Sequence, residues 1–588
     1  MNKQREAFLA AKGKVVLNAC PGSGKTIAIA KKLIKLQKEY DSLYGKYSGV
    51  ACLSFTNTAK DEINEKYKQL SGNILRFPHK ISTIDSFINQ YITLQFYYLM
   101  NKNFKRPKIL DDNSFIDDAW KPKYRFKGLD GKPFCFAYPP SSIRFESDGT
   151  FSSNGYRPAE DKVKPEVFDD YCKQIKSWQI KNGLITTGDS AYIALHLLTE
   201  YPKIGNWLAL RFPHLIVDEA QDNSEVQYAL FEKLVEDGLK NIEFVGDPYQ
   251  SLYEWRDADP QLFLEKYADT ENWQGLDLSD DHRSPQRIIE CFSLIRKETD
   301  PKIDSACEED REIPIVVYKY TDTNSAIIVQ HFDKQCQNYG LTNNQIVVRG
   351  NALKNQMLGK EAEQKPWKSW IPYLIIEVKN QYLGNEIKAA IKTIRTITVK
   401  LKYPDAGFHE SKELENSLKD DHLFNALLLE TLHDLPKFDL SITDWTSQTQ
   451  AFLKNKLDIK NEVDFDLKNR NSKYFDKAIL VEPVENHFKK PYSESKIPIT
   501  TVHQVKGKSL EAILIFFNAN KHKDNITFED IINNHDAFPS EKQRIIYVAM
   551  SRPKHLLAMA FPEDLSDDEF REKFGEDIKI VTEQELNE

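Results

Sequence analysis

Short apolar runs recur along the chain, and a stretch with helical spacing follows several of them. The first run, Val15-Val16-Leu17, leads through a Gly-rich turn into residues 27–36, whose apolar side chains can share one helix face. Further apolar runs lie at 50–54, 80–83, 215–217 and 242–245. Buried strands alternating with helices are typical of a parallel sheet covered on both faces. The pattern therefore predicts an α/β, doubly wound fold.

The segment from about 101 to 199 interrupts this alternation. It is rich in proline and turn residues, and Asp130-Gly131 and Asp148-Gly149 predict two hairpins. Basic and aromatic side chains alternate in part of it, namely Lys121, Lys123, Arg125, Lys127 and Arg144 with Tyr124, Phe126, Phe134 and Phe145. That pattern suits either a basic, aromatic face lined by strands or a half-buried sheet with solvated lysines. We interpret the segment as a subdomain inserted into the sheet.

Residues 18–26 read Asn-Ala-Cys-Pro-Gly-Ser-Gly-Lys-Thr and join the first strand to the first long helix. Unpaired backbone N–H groups and the helix dipole at such a helix start bind phosphates. Lys25 would neutralise the terminal phosphates, and the Thr26 hydroxyl would be a ligand of Mg²⁺. The alternative is an ordinary Gly-rich turn, since Ala19 replaces the usual first glycine. The predicted nucleotide contacts in this loop are Ala19, Pro21, Gly22, Ser23, Gly24, Lys25 and Thr26.

Two adjacent carboxylates, Asp218 and Glu219, follow the apolar run at 215–217. In a phosphate-loop protein one carboxylate must reach the magnesium shell, and its neighbour can activate water as a general base. We assign the metal role to Asp218 and the base role to Glu219. The alternative is that both acids only cap a helix.

A polar and aromatic segment, 246–256, follows the run at 242–245. Gln250 can sense the terminal phosphate of a nucleotide, while Tyr253 and Trp255 can stack on unpaired bases. A nucleotide sensor beside stacking aromatic rings would couple two ligands.

Composition narrows the class of protein. A length of 588 residues suggests several domains. The 7 cysteines form no Cys-x-x-Cys pair, which argues against zinc ribbons, iron–sulfur clusters and a disulfide framework. A signal peptide and a long apolar span are both missing, so we expect a cytoplasmic protein without membrane contact. A net charge of -8 does not favour binding to nucleic acid. A local basic groove can nevertheless coexist with an acidic exterior, because salt screens charges beyond about 8–10 Å.

This order of motifs resembles the UvrD/Rep/PcrA-like branch of superfamily 1 DNA helicases. Gln4 matches the family's adenine-reading glutamine, and residues 218–222 match its acidic motif. The resemblance implies two RecA-like, P-loop NTPase motor domains that use ATP and Mg²⁺. It also implies DNA contacts from two motifs, made by Phe55, Thr56 and Asn57 in one and by Tyr253, Trp255 and Arg256 in the other.

The remaining motifs lie in the second half of the chain. His282-Arg283-Ser284 resembles a Tyr-Arg-Ser motif whose arginine reaches the γ-phosphate and whose tyrosine stacks on adenine, so His282 leaves the base preference open. The segment 500–511 resembles the motif whose histidine, here His503, touches DNA and whose glutamate, here Glu511, touches the nucleotide sugar. Two extra residues lengthen its spacing. The segment 544–552 matches the last motif, so the resemblance makes Arg283 and Arg552 arginine fingers.

The segments without motifs are about 100–199 and 361–489, where this family inserts accessory subdomains. We therefore predict a first motor domain at 1–95 and 200–282 with an insert at 96–199. A second motor domain is predicted at 283–360 and 490–588, with a mainly helical insert at 361–489.

The resemblance implies an ATP-driven helicase that moves 3′-to-5′ on single-stranded DNA, or on a duplex with a single-stranded tail. A different hypothesis is an ATPase sensor or regulatory subunit beside a partner nuclease, as in phage-defence assemblies of the Gabija type. An RNA motor is a third possibility, which the resemblance to the DNA branch disfavours.

Overall fold

The structure is a computed structural model, and it divides into two compact units. One comprises Met1–Arg349 with Ile497–Glu588, and the other Gly350–Lys496. The described residues are 3–43, 46–104, 106–110, 114–252, 258–321, 324–349, 364–383, 387–404, 406, 411, 414–415, 417–419, 421–461, 463, 465–471, 475–488, 497–519, 525–531 and 537–587. The four predicted subdomains are finer than these two units, and their boundaries stay a prediction.

The first unit contains a six-stranded parallel sheet in its first half, with strand order β10-β1-β9-β8-β2-β3. Its strands are β1 Lys14–Ala19, β2 Val50–Ser54, β3 Lys80–Thr83, β8 His214–Asp218, β9 Asn241–Gly246 and β10 Gln274–Leu278. Apolar runs that are buried on both faces form the central strands, as predicted. The edge strand β10 was not predicted, because Gln274-Gly275-Leu276-Asp277-Leu278 is half polar and only Leu278 is buried.

Helices cover both faces of this sheet. α2 begins at Lys25, directly after the Gly-rich turn, and buries Ile29, Leu33 and Leu36 against the sheet. The helices of this half are α1 Lys3–Ala10, α2 Lys25–Leu43, α3 Asn57–Ser71, α4 Ile84–Ile88, α5 Leu94–Phe96, α8 Thr187–Glu200, α9 Pro202–Arg211, α10 Glu225–Glu236 and α11 Pro260–Ala268. The predicted α/β class is confirmed.

The segment between α5 and α8 is a small layer with its own aromatic core. Its elements are β4 Lys108–Leu110, α6 Ser114–Ala119, β5 Ile143–Phe145, β6 Phe151–Ser153, α7 Pro165–Lys181 and β7 Leu184–Thr186. The hairpin at Asp148-Gly149 is confirmed, because β5 and β6 pair antiparallel across it. At Asp130-Gly131 a tight turn is closed by the single bridge Lys127↔Pro133 rather than by a strand ladder.

Neither sheet-based interpretation of the basic, aromatic segment holds at its start, although Arg144 and Phe145 lie on β5. Residues Lys121–Arg125 form a 3₁₀ turn, and Phe126 and Phe134 are buried. Their rings lie 5.1 Å and 4.8 Å from the ring of Tyr171 on α7. Burial of these rings in a core outweighed the strand-like alternation of the sequence.

A second six-stranded parallel sheet lies in the other half of the first unit, with strand order β15-β14-β16-β17-β13-β18. Its strands are β13 Val316–Tyr320, β14 Asn344–Val348, β15 Ile499–Thr501, β16 Leu510–Phe516, β17 Pro553–Pro562 and β18 Lys579–Val581. The short strands β11 Asp280–Asp281 and β12 Asp304–Ser305 pair with each other. The helices of this half are α12 Gln286–Ser293, α13 Ser325–Asn338, α19 Val502–Val505, α20 Glu541–Met550, α21 Asp567–Phe574 and α22 Glu583–Asn587.

The described part of the second unit is built from helices around a core that contains Trp367 and Trp445. The indole rings of these residues lie 5.6 Å apart. Its helices are α14 Ile371–Leu383, α15 Ile387–Lys402, α16 His422–Asp434, α17 Ile442–Lys456 and α18 Val484–Phe488. Across both units, no helix of the described residues is long and apolar enough to cross a membrane.

Candidate active site

The predicted nucleotide residues of the first half lie at one edge of the first sheet. β1 ends at Ala19, β8 at Asp218, β9 at Gly246 and β10 at Leu278. In a parallel sheet the carboxyl ends of all strands share one edge, where ligands bind. Segments far apart in sequence therefore form one site.

The phosphate loop has the backbone that its glycines predict. Gly22 has φ 70 and Gly24 has φ 76, a region that other residues rarely adopt. A Cβ on Gly22 would lie 1.8 Å from Asp281 Oδ1. Ala19 instead ends a regular strand with its methyl group buried in the core, so alanine fits where the usual motif has glycine. Ser23 between the glycines is buried, and Pro21 precedes them.

Lys25 joins the phosphate loop to the acidic pair. Its Nζ lies 2.8 Å from Glu219 Oε1 and 3.9 Å from Asp218 Oδ1. Burial opposes its charge, but the two carboxylates raise the pKa of Lys25 above its usual value. The ammonium group is therefore held charged at the point where terminal phosphates would bind.

Glu219 is fixed in an unusual backbone conformation, φ 54 and ψ 39, which is rare outside glycine. Its carboxylate accepts hydrogen bonds from Lys25 and, at 2.5 Å, from Gln221 Nε2. Burial opposes ionisation, but Lys25, Lys506 and Gln221 together lower the pKa of Glu219 to about 2. Strain of this kind collects at functional sites, and an ionised carboxylate is what a general base requires.

The side chains of Asp218 and Thr26 suit a magnesium ion. Burial, opposed by Lys25 and supported by the charge of Glu219, raises the pKa of Asp218 to about 7. Asp218 Oδ1 is buried and has no hydrogen-bond partner, while Thr26 Oγ1 lies 3.3 Å from Glu62 Oε1 on α3. Mg²⁺ is commonly held by one or two protein oxygens together with phosphate and water, so this pair of ligands fits it. No cluster of three or more His, Cys, Asp or Glu side chains that could hold a metal occurs among the described residues.

Two arginines, the buried Arg552 and the half-buried Arg283, approach this edge from the second half of the first unit. Arg552 Nη2 donates to Gln250 Oε1 at 2.8 Å, and Gln250 Nε2 donates to Asp247 Oδ2 at 2.8 Å. Arg283 Nη1 donates to the Ser551 carbonyl at 2.8 Å. Burial lowers the pKa of both arginines, and for Arg552 the charge of Arg283 adds to it. Within the described part of the chain neither arginine has an ion pair, so an incoming phosphate would stabilise both.

Gln4 and His282 lie on the remaining side of the loop. Both ends of the Gln4 amide bond Ser279, with Nε2 2.8 Å from Oγ and Oε1 3.0 Å from the backbone N. The backbone N of His282 donates to the Gly22 carbonyl at 3.0 Å, which ties the His282 segment to the phosphate loop. The structure thus brings the predicted adenine residues next to the predicted phosphate residues.

Two family models match the chain, one over the first half of the first unit and one from the end of the second unit into the second half of the first. Residues 1–271 match the UvrD/REP helicase N-terminal domain, and residues 473–564 match the UvrD-like helicase C-terminal domain. The chain belongs to the UvrD/REP helicase family. The two sheets are therefore the RecA-like motor folds of this family.

Curated relatives agree with this membership. The chain is 28% identical over 311 residues to the ATP-dependent DNA helicase PcrA of Bacillus subtilis (strain 168), covering 50% of this chain and 39% of the relative. It is 24% identical over 407 residues to the protein of the same name from Staphylococcus aureus (strain Mu50 / ATCC 700699), covering 67% of this chain and 53% of the relative. The chain thus spans about half the length of the curated relatives it matches.

The hydrogen bonds of Glu511 are made to a segment other than the phosphate loop. Its Oε2 accepts the backbone N–H groups of Thr342 at 2.6 Å and Asn343 at 3.0 Å, which directly precede β14 of the second sheet. Those two bonds, the first being the stronger cause, lower the pKa of Glu511. The family-derived contact to the nucleotide sugar stays a prediction.

Four of the predicted DNA-binding residues lie within the described residues, and three lie outside them. Phe55 lines a cavity of about 660 Å³ between the first sheet and its insert, and Thr56 caps α3 by accepting a hydrogen bond from the backbone N of Ala59. Asn57 begins α3 and is exposed. His503, on α19, is half-buried and bonds the Leu252 backbone, and burial lowers its pKa. Tyr253, Trp255 and Arg256 lie outside the described residues.

Several side chains that hold the site together are not predictable from the sequence. Gln221 bonds Glu219 and also accepts the backbone N–H of Asp247 at 3.2 Å. Asp281 Oδ1 accepts the backbone N–H of Arg283 at 2.6 Å and so orients that arginine. An isolated glutamine or aspartate carries no local signal, so only the fold reveals these roles.

Proposed function

We propose that the chain is an ATP hydrolase that drives movement along single-stranded DNA and separates strands, as an ATP-dependent DNA helicase. The observation that carries this proposal is the Arg552–Gln250 bond of 2.8 Å beside the Lys25–Glu219 pair of 2.8 Å. A phosphate bound at Lys25 would lie within a ring of charged groups supplied by both halves of the first unit. Occupancy of the nucleotide site can therefore change the contact between the halves.

Each side chain of the site would have a separate role in ATP hydrolysis. Lys25, Arg283 and Arg552 would neutralise charge on the transferred phosphoryl group, which is the main form of catalysis in phosphoryl transfer. Glu219 would accept the proton of the attacking water. Thr26 and Asp218 would hold Mg²⁺, whose charge supplements that of the three cations.

Gln250 would couple the nucleotide site to the DNA-binding residues. It bonds Arg552 on one side and Asp247 on the other, and the segment that follows it contains the predicted base-stacking residues. We propose that Phe55, Thr56, Asn57 and His503 contact the strand, and that movement is 3′-to-5′, as the family resemblance implies. The substrate would be single-stranded DNA or a duplex with a single-stranded tail.

Steady-state ATP hydrolysis with and without single-stranded DNA tests this proposal. We expect DNA to stimulate hydrolysis by the intact chain, and Lys25→Ala or Glu219→Gln to abolish it. Lys203→Ala is a matched control, because this exposed lysine on α9 lies outside the site. Hydrolysis that survives both site changes, or that ignores DNA, would contradict the proposal.

Strand displacement tests polarity and unwinding separately. A duplex with a 3′ tail and one with a 5′ tail are compared at equal length and sequence. Displacement of the 3′-tailed duplex alone supports 3′-to-5′ movement, and displacement of the 5′-tailed duplex alone contradicts it. RNA of the same sequence in the ATPase assay tests the RNA alternative.

A second candidate function is an ATPase sensor subunit of a nuclease-containing antiviral complex with little unwinding of its own. The observation that favours a protein partner is a set of large apolar side chains exposed on the first motor half. Phe77 is 66%, Trp207 57% and Leu210 69% exposed. Such surfaces mark contacts between proteins. Co-purification with a nuclease, together with loss of the complex in Trp207→Ala/Leu210→Ala, would support it; unwinding by the isolated chain would favour the first function.

We also propose a cytoplasmic location for this protein. All seven cysteines are free thiols, as expected in a reducing compartment, and ATP and DNA are available there. Non-reducing electrophoresis of the native protein would show disulfide-linked species if this placement were wrong.

A further inference from the structure

Arg5 places a positive charge on the phosphate loop. It follows Gln4 in α1, and its Nη2 donates to the Ser23 carbonyl at 3.0 Å. A Cβ on Gly24 would lie 3.2 Å from the same nitrogen. The guanidinium group therefore rests against the two residues that lead into the start of α2.

The surroundings of Arg5 are unfavourable for a cation. The first residues of α2, which begins at Lys25, carry the positive end of the helix dipole. No ion pair of Arg5 occurs within the described residues, and its Nε is buried without a hydrogen-bond partner. A half-buried cation beside other positive groups is costly unless an anion joins it.

His282 completes the contacts of Arg5. Nδ1 of His282 lies 3.2 Å from the Ala306 carbonyl, which can only accept a hydrogen bond. We therefore assign the ring hydrogen to Nδ1, so that Nε2 accepts from Arg5 Nη2 at 3.3 Å. Arg5 thus lies between the phosphate loop and the predicted adenine residues, Gln4 and His282.

We infer that Arg5 is a nucleotide-binding residue whose guanidinium group bonds the α-phosphate, the phosphate next to the sugar. This inference rests on the proposed function. Lys25, Arg283 and Arg552 would contact the terminal phosphates, whereas Arg5 contacts both the loop and His282, one of the predicted adenine residues. A phosphate there would neutralise the guanidinium group, which has no ion pair within the described residues.

Calorimetric binding of AMP, ADP and ATP to the full chain without DNA tests the inference. Arg5→Gln should weaken all three nucleotides by the same factor, about 10- to 100-fold, as expected for a lost bond to a charged group. Lys25→Ala should weaken ATP and ADP far more than AMP. Arg5→Lys should recover much of the affinity, since it keeps the charge.

Base discrimination separates Arg5 from its neighbour. Gln4→Ala should reduce the preference for ADP over GDP, whereas Arg5→Gln should weaken ADP and GDP equally. The melting temperature of each variant without nucleotide measures any damage to the fold, and equal loss in Arg5→Gln and Arg5→Lys would indicate a structural tether only.

The outcomes distinguish this inference from the proposed function. Binding of ADP by Arg5→Gln within twofold of the intact chain overturns the inference alone. Absence of ATP and ADP binding by the intact chain overturns the proposed function as well. A loss in Arg5→Gln confined to base discrimination assigns Arg5 to the base rather than to the phosphate, and so also overturns the inference.

Discussion

Lys506 Nζ lies 2.5 Å from Asp222 Oδ2, and the two residues are 284 positions apart in the chain. Asp222 belongs to the segment after β8 of the first sheet, and Lys506 precedes β16 of the second. Burial raises the pKa of Asp222 to about 6, although Lys506 opposes that rise. Lys506 also lowers the pKa of Glu219. The ionisation of the proposed general base therefore depends on a contact between the two halves of the first unit.

Breaking the Lys506–Asp222 pair should cost both stability and turnover. Lys506→Met or Asp222→Asn leaves one buried charge unpaired, which typically costs about 3–5 kcal/mol. The double variant should lose less than the sum of the two, with a coupling of about 0.5–3 kcal/mol. Melting temperature and DNA-stimulated kcat of all three variants measure this. Lys508→Met is the control, since Lys508 is exposed two residues away. Strictly additive losses would show that the pair is not coupled.

Arg552→Lys should impair chemistry rather than binding. Lysine cannot donate to Gln250 and to the Val548 carbonyl at once, as Arg552 Nη2 and Nε do at 2.8 Å and 2.9 Å. We expect kcat with saturating DNA to fall by about 10³-fold or more, the usual effect of losing an arginine finger, with ATP affinity changed only a few-fold. Single-turnover hydrolysis and equilibrium ATP binding separate the two steps. Arg571→Lys, on the surface helix α21, is the control. A kcat within tenfold of the intact chain would rule out this role for Arg552.

Gly22→Ala should destroy nucleotide binding through a clash and not only through backbone strain. Its new Cβ would lie 1.8 Å from Asp281 Oδ1 and 2.8 Å from Arg283 Cβ. Gly13→Ala is the matched control, because Gly13 has φ 90 but no atom within 4 Å of a Cβ. The control should lose about 1 kcal/mol of stability and keep ATP binding. Equal ATP affinity in the two variants would show that the close approach of Asp281 is unimportant.

Glu511→Gln should destabilise the protein at neutral pH and much less in acid. The pKa of Glu511 is lowered by the N–H groups of Thr342 and Asn343, so the ionised carboxylate stabilises the fold above its unfolded pKa of about 4.3. That contribution is lost as the pH falls through the folded pKa. The difference between the melting temperatures of the two proteins should be constant around pH 7, and it should shrink as the pH falls below about 4.3 towards the folded pKa.

The pH series also tests how Glu511 acts. A difference in melting temperature that does not shrink as the pH falls well below about 4.3 would contradict the role of its charge in the fold. The KM for ATP, measured on the same variant at pH 7, tests the sugar contact independently. An unchanged KM would leave Glu511 with a structural role only.

Local sequence determined the phosphate loop, the acidic pair and the parallel sheets. Each is specified within a few residues: buried strands by continuous apolar runs, and the loop by glycines that adopt positive φ between β1 and α2. The strand β10 and the fold of the first insert were not predictable in this way. β10 is half polar, and in the insert the burial of Phe126 and Phe134 decided the structure against their alternating pattern.

Only the tertiary structure decided which side chains complete the site. Arg5 reaches His282 over 277 positions, and Arg552 reaches Gln250 over 302. Such contacts arise because parallel strands bring their carboxyl ends to one edge and because a second sheet presents its arginines to that edge. The sequence by itself thus determined the family and its motifs, whereas the fold determined how charges from distant segments neutralise, orient and strain one another.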